Sequence, residues 1–184
     1  VSWLAELIIE RLGTGEHWGL SIHYSREERP LETAGGIIQA LPLLGDEPFF
    51  VVNADVWTDF DYADFLSRFS QANAWDEIDA SLVLIPHPEH PPAGDFSLFR
   101  NRVARRAGSE SLTFAGIAVY HPRFFCECDT GKGALLPLFL KAADGGRLGG
   151  EYFSGVWRDI GTPERLDELN RSLSDKSVSN SLQD

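Results

Sequence analysis

Sulfur and positive charge are both in short supply in this chain. Methionine is absent and cysteine occurs twice, at Cys126 and Cys128, in 184 residues. Two thiols are too few for a disulfide scaffold or a four-ligand zinc site. The expected compartment is therefore reduced and cytoplasmic. Basic residues number 16 against 28 acidic ones, a formal net charge of -12. That balance argues against the basic footprint on which non-specific nucleic-acid binding depends. No apolar run approaches the roughly 20 residues of a membrane span, and no signal-peptide pattern is apparent. Neither nucleic acid nor membrane is expected as a partner. A covalent nucleophile is not indicated either, since no serine–histidine–acid or cysteine–histidine constellation stands out.

What is present is an ordinary globular composition, 43% hydrophobic and 24% charged, enough for one domain with a sizeable core. That domain is expected over residues 1–173, with a polar tail over 174–184. The stretch that organises it runs from Phe49 to Trp57. Phe49-Phe50-Val51-Val52 has four apolar residues without alternation, which suits a strand buried on both faces in the middle of a parallel sheet. The run then breaks into Asn53 and Asp55 at the strand's carboxyl end, where open α/β sheets bind ligands. A carboxylate there is placed to hold a divalent metal against a phosphate, because Mg²⁺ takes one or two carboxylates plus phosphate oxygens. Equally, Asp55 could cap a helix or solvate a loop.

Around this stretch, apolar spacing predicts a helix from Trp3 to Leu12, stopped by Gly13-Thr14-Gly15. A strand is expected over 18–25, from the alternation of Leu20, Ile22 and Tyr24. Glu32-Thr33-Ala34-Gly35-Gly36 leads into a helix ending near Leu44, and backbone N–H groups at such a start can cradle an anion or a base edge. A plain loop-to-helix turn would look the same. Further elements are a helix over 62–73, a buried strand over 81–85, a hairpin from Phe96 through Val103, a long strand over 112–120 and a helix over 134–143. The glycine within the long strand, Gly116, marks a bulge or a ligand pressed against the backbone. The arginines at 100, 102, 105 and 106 read as a solvated hairpin face, with an anionic ligand as the alternative. His87 and His90 lie in a proline-rich loop and lack the partners of a metal set. Residues 151–154 and 156–159 read as a β-ribbon, followed by Thr162 as N-cap and Pro163 as the first residue of a last helix ending near Leu173.

Several segments, in order and across nearly the whole chain, resemble the sugar-1-phosphate nucleotidyltransferases. They are Pro30–Ile37, Leu41–Gly45, Val52–Trp57, Gly94-Asp95-Phe96, Leu112–Ile117 and Trp157–Thr162. The resemblance is strongest to the short bacterial branch that includes N-acetylmuramate-1-phosphate uridylyltransferase and mannose-1-phosphate guanylyltransferase-like proteins. It implies a Rossmann-like α/β/α sandwich with a mixed, mainly parallel sheet. It also implies transfer of a nucleotidyl group from a nucleoside triphosphate to a sugar-1-phosphate with release of pyrophosphate. UTP and N-acetylmuramate-1-phosphate are the expected pair, and the setting would be cell-wall recycling. GTP and mannose-1-phosphate form the alternative.

Roles follow from the resemblance residue by residue. Asp55 and Asp159 would hold Mg²⁺, Asn53 and Asp95 would lie by the sugar phosphate, and Gly116 would admit the sugar. Glu32, Thr33, Gly35 and Gly36 would face the nucleotide. Ala34 and Ala54 stand where close relatives are expected to carry glycine. The family also opens with a strand and a glycine-rich, Arg- and Pro-Lys-bearing loop around the triphosphate, which nothing here matches. The chain is thus expected to be a fragment that lacks the first strands, and to be weakly active at most by itself.

The proposed nucleophile, a phosphate monoester with a second pKa of about 6, is already anionic and requires no general base. Positioning and cationic charge must do most of the work. Arg29, Lys132 and Arg158 are the cations available. Two other readings stay open. A non-catalytic sugar-nucleotide-binding module would bind without turnover, and a retaining glycosyltransferase would move the sugar to an acceptor.

Overall fold

The computed structural model describes residues 1–86, 94–106 and 111–180, so His87 and His90 lie outside the described residues. Five α-helices occur among them: α1 (Ala5–Leu12), α2 (Glu32–Leu44), α3 (Tyr62–Ser67), α4 (Leu135–Asp144) and α5 (Pro163–Asn180). The eight strands are β1 (Phe49–Val52), β2 (Val56–Thr58), β3 (Ala80–Pro86), β4 (Phe96–Phe99), β5 (Arg102–Arg105), β6 (Leu112–Tyr120), β7 (Leu148–Tyr152) and β8 (Trp157–Asp159). Six of them form one sheet in the order β1-β6-β3-β7-β5-β4, while β2 and β8 form a separate two-stranded ribbon.

The period-2 alternation of the central strands divides the core into two layers. Leu82 and Leu84 of β3, with Ala118 and Tyr120 of β6, pack beneath Ala34 and Ile37 of α2 and Leu135 and Phe139 of α4. Val83, Ile85, Ile117 and Val119 point the other way, against Phe65 of α3, Phe60 and Trp75. Helices on both faces of a mixed sheet give the expected α/β/α sandwich. The expectation of a mainly parallel sheet is corrected: β3–β7 is the one parallel pair among the described residues, and the other pairings are antiparallel. The cause is the insertion of β6 between β1 and β3. Those two strands run in the same direction, but each meets β6 head to tail.

Three further expectations change. The stretch Phe49–Trp57 divides, with β1 at the sheet edge and β2 leaving for the ribbon, so the organising strand is not central. Residues 18–25 form no strand. Their backbone donors turn back locally instead, Leu20 N–H to Gly15 O at 3.1 Å and Ile22 N–H to Thr14 O at 2.9 Å. Residues 151–154 and 156–159 do not pair with each other. β7 joins the main sheet, and β8 crosses to β2. The hairpin arginines are not a purely solvated face either. Arg105 makes a two-pronged contact with Asp144, both bonds at 2.7 Å, and Arg102 pairs with Glu77. The predicted α1 forms, but none of its residues is buried. The last helix runs on to Asn180, beyond the expected end. Cys126 and Cys128 are free thiols, the first exposed, and burial pushes the Cys128 thiol up.

One ion network binds the near end of the sheet. Asp79 sits just before β3, and its carboxylate accepts from Arg147 at 2.6 and 2.7 Å and from Arg123 at 2.5 Å. Its main-chain N–H donates to Arg147 O and its carbonyl accepts from His121 N–H, each at 2.9 Å. Asp79 therefore ties the starts of β3 and β7 to the end of β6. The Arg147 and Arg123 guanidinium groups outweigh partial burial and hold its carboxyl below the usual range.

At the other end, β6 bulges opposite Val83, where the register jumps from Leu82↔Ala118 to Leu84↔Phe114. Gly116 lies in that bulge at φ +77°, and a Cβ there would come within 2.8 Å of the Asn53 Nδ2. The bulge, one of the two readings of this glycine, is present.

Two stability measurements follow. Asp79→Asn is expected to lower unfolding free energy by about 1–2 kcal/mol, since the guanidinium edges remain partly in water. The stabilisation is fully present above the unfolded carboxylate pKa of about 3.9 and is lost as pH falls through the lower folded value. Denaturant melts of both chains at neutral and acid pH should therefore converge on acidification. Gly116→Ala is expected to cost about 2 kcal/mol, from the left-handed backbone and the displaced Asn53. An unchanged denaturation midpoint would remove the bulge from the stability argument.

Candidate active site

Asp55 and Asp159 meet because β2 and β8 pair. After β1, Asn53-Ala54-Asp55 makes a tight turn, with Val56 N–H to Asn53 O at 3.4 Å. β2 then runs antiparallel to β8 with Val56 opposite Asp159 and Thr58 opposite Trp157. The ladder closes at the acidic end through Ile160 N–H to Asp55 O at 2.8 Å. At the other end, Thr58 Oγ1 donates to Val156 O, and Val156 N–H donates to Asp59 Oδ1, both at 2.7 Å. Trp157 fastens the ribbon to the main sheet, its indole N–H donating to Ala115 O at 2.9 Å beside the β6 bulge.

The chain then turns at Gly161. A Cβ at this position would lie 3.1 Å from Asp159 Oδ1 and 3.1 Å from Asp55 Oδ2. The two carboxylates thus border one small volume that glycine leaves free. Asp159 is held at both oxygens, Oδ1 by Gly161 N–H at 2.8 Å and Oδ2 by Arg165 Nη1 at 2.6 Å. The Gly161 amide, followed by Arg165, keeps the Asp159 carboxyl below the usual range. Thr162 caps α5 through Oγ1, which accepts from Arg165 N–H at 3.4 Å.

Two exposed carboxylates facing one gap fit the donor set of Mg²⁺, which keeps waters and takes its remaining ligands from substrate phosphates. No cluster of three or more His, Cys, Asp or Glu side chains able to hold a metal occurs among the described residues. A two-carboxylate site completed by phosphate has no need of one.

A cavity of about 210 Å³ opens beside the Asn53 turn. Thr33, Asn53, Asp95 and Thr113 contribute its polar lining, and Leu135 and Leu136 part of its apolar side. Three expected residues, Thr33, Asn53 and Asp95, are therefore brought together. Gly116 is near them but its side-chain space is taken by Asn53, whose N–H also donates to Gly116 O at 2.8 Å.

The start of α2 is organised by packing. A Cβ at Gly35 would fall 2.1 Å from Gly131 O, and one at Gly36 would fall 2.9 Å from Glu27 Oε1. The Ala34 and Gly35 N–H groups donate to Gly133 O at 3.0 and 3.2 Å, so these two donors are engaged within the protein. Glu32 adopts φ +59°, an uncommon backbone for a non-glycine residue, and pairs with Lys132 at 3.0 Å. A second hollow of about 370 Å³ lies alongside, with Arg26, Arg29, Leu31 and Gly35 in its wall.

Sequence reasoning gave no site role to Gly161, Arg165 or Thr113, and from the Gly131-Lys132-Gly133 loop it named only Lys132, as an available cation. The loop's paired glycines were visible as a signal. Arg165 lies two residues past Pro163, but its orientation depends on the helix cap.

The sequence model of the family described as Nucleotidyl transferase matches residues 4–94. The N-acetylmuramate alpha-1-phosphate uridylyltransferase of Neisseria meningitidis serogroup B is 43% identical over 172 residues, 91% of this chain and 73% of the relative. The enzyme of that name from Caulobacter vibrioides is 33% identical, with 89% and 72% covered. The mannose-1-phosphate guanylyltransferase catalytic subunit beta of Danio rerio is 28% identical, over 89% of this chain and 48% of its own. In fold, a Bacillus anthracis protein assigned as a glucose-1-phosphate thymidylyltransferase superposes with a TM-score of 0.74 at 19% identity, over 90% of this chain and 70% of that one. On the strength of the sequence relatives, the chain belongs to the nucleotidyl transferase family, among the sugar-1-phosphate nucleotidyltransferases.

Proposed function

We propose that this chain carries the metal-binding and sugar-phosphate half of a uridylyltransferase site, which joins UTP to N-acetylmuramate-1-phosphate and releases pyrophosphate. The observation that supports it most is the shared gap at Gly161, bordered at 3.1 Å by one oxygen each of Asp55 and Asp159. The choice of substrates rests on the 43% identity to a relative named for that reaction. The guanylyltransferase reading, with mannose-1-phosphate, is the second choice, supported by the weaker likeness to a mannose-1-phosphate guanylyltransferase.

In this reading Asp55 and Asp159 hold Mg²⁺, which supplies positive charge to the phosphates when bound. Asn53 and Asp95 lie by the sugar phosphate in their cavity, Asp95 toward the sugar hydroxyls, and the Leu135–Leu136 wall takes the sugar's apolar face. The start of α2, from Glu32 through Gly36, lies against the nucleotide, with the Arg29-lined hollow next to it. The sugar phosphate attacks as an anion, so the residues orient and neutralise instead of removing a proton. Of the three cations named from the sequence, Lys132 is engaged by Glu32, which leaves Arg29 and Arg158 to meet a triphosphate. We infer that residues 1–184 by themselves turn over at most slowly, and that further cationic groups are needed for full rate.

Pyrophosphate release is the assay. In the protein that contains this chain, Asp55→Asn and Asp159→Asn are each expected to lower kcat/KM by about 100-fold or more. Near-normal rates in both variants would overturn the metal assignment. Gly161→Ala would put a methyl group into the shared gap. It should cut metal-dependent turnover by about tenfold or more, with thermal stability little changed. UTP with N-acetylmuramate-1-phosphate should outpace GTP with mannose-1-phosphate, and the reverse ranking would select the second reading.

A further inference from the structure

The two carboxylates of the acid pair are treated unequally by the fold. Asp159 is engaged at both oxygens, one accepting from the Gly161 amide at 2.8 Å and the other from the Arg165 guanidinium at 2.6 Å. Asp55 is tied only through its main-chain carbonyl, and among the described residues no donor engages its side chain. A divalent ion entering the gap would therefore find one open carboxylate and one that already has a cation.

We propose that Arg165 is a positioning residue and resident counter-cation that aims Asp159 at Asp55 and keeps affinity for a free divalent ion low until phosphate arrives. The inference rests on the acid-pair reading above. The charge balance supports it. Two carboxylates carry -2, and Arg165 reduces that to -1 before any ion binds. Arg165 Nη1 holds Asp159 Oδ2 while Oδ1 faces the gap, so a metal there meets the guanidinium as a like charge across one carboxylate. The Arg165 side chain is 53% exposed and sits in the first turn of α5, so it can leave Asp159 without disturbing a packed core. Substrate phosphate gives the released guanidinium a new partner. Removal of Arg165 from the carboxylate is then unfavourable with free metal and compensated when nucleotide is present, which couples the two binding events.

Mn²⁺ binding to the 184-residue chain, followed by electron paramagnetic resonance at low ionic strength, tests this without any turnover. Arg165→Gln is expected to bind Mn²⁺ about fivefold more tightly than wild type, and added UTP should shrink the gap between them. Arg165→Lys keeps the charge but, with a shorter reach, holds it less firmly on Asp159 Oδ2, so its affinity should fall between the two. That variant decides the matter if a thermal melt shows the glutamine variant unfolded. Wild-type affinity in every folded Arg165 variant would overturn the inference, as would the absence of Mn²⁺ binding in all of them. Asp55→Asn separates this from the underlying reading. Undiminished Mn²⁺ binding in that variant would remove the acid pair itself, whereas its loss with unaltered Arg165 variants would remove only the role given to Arg165.

Discussion

The site depends on one short antiparallel ladder. β2 and β8 contribute three residues each, yet their pairing is what brings Asp55 and Asp159 to the same gap, closed by the Ile160 amide on the Asp55 carbonyl. An isolated two-stranded ribbon is marginal in water. This one is held from outside by the Trp157 indole on the Ala115 carbonyl, and closed at its own end by the Thr58 and Asp59 side chains on Val156. The main sheet thus lends its rigidity to a ribbon that could not keep its geometry alone.

Glycine is used twice around this arrangement, once yielding its space to a neighbouring side chain and once leaving a gap between two carboxylates. Gly116 gives up its side-chain volume to Asn53, and its left-handed backbone forms the bulge beside the Trp157 anchor. Gly161 leaves its volume to the gap between the carboxylates. At the opposite end of the sheet, Asp79 joins three chain segments through two arginines. The scaffold is locked by charge at one end, and the candidate site lies at the other.

Elements with strong local signals were legible in the sequence. The hairpin, the long strand with its glycine, and helices α2 and α4 follow from periodicity and punctuation alone. The pairings were not. Nothing local in Trp157-Arg158-Asp159 distinguishes a partner at residues 56–58 from one at 151–154, because both choices satisfy the same alternation. The strand expected from Leu20, Ile22 and Tyr24 failed for the related reason that alternation describes a face and cannot supply a neighbour. The β1 position was misjudged because an apolar run reports burial of side chains, while the edge of a sheet is defined by its hydrogen bonds. Among candidate site residues, Asp55 and Asp159 were named from the sequence, and the structure sets their carboxylates beside one gap. The roles of Gly161 and Arg165 needed the turn and helix cap that only the assembled ribbon provides.

The edge position of β1 has a further meaning for residues 1–184 taken by themselves in solution. Among the described residues no strand pairs with its outer side, and Val52 there is 40% exposed. A row of unpaired amides and carbonyls beside apolar side chains is a template on which identical chains stack. What opposes stacking is repulsion, because the net charge of -12 has the same sign on every copy. That protection weakens with added salt and disappears as acidity approaches the isoelectric point near 4.8. Colloidal behaviour is therefore set by the excess of carboxylates.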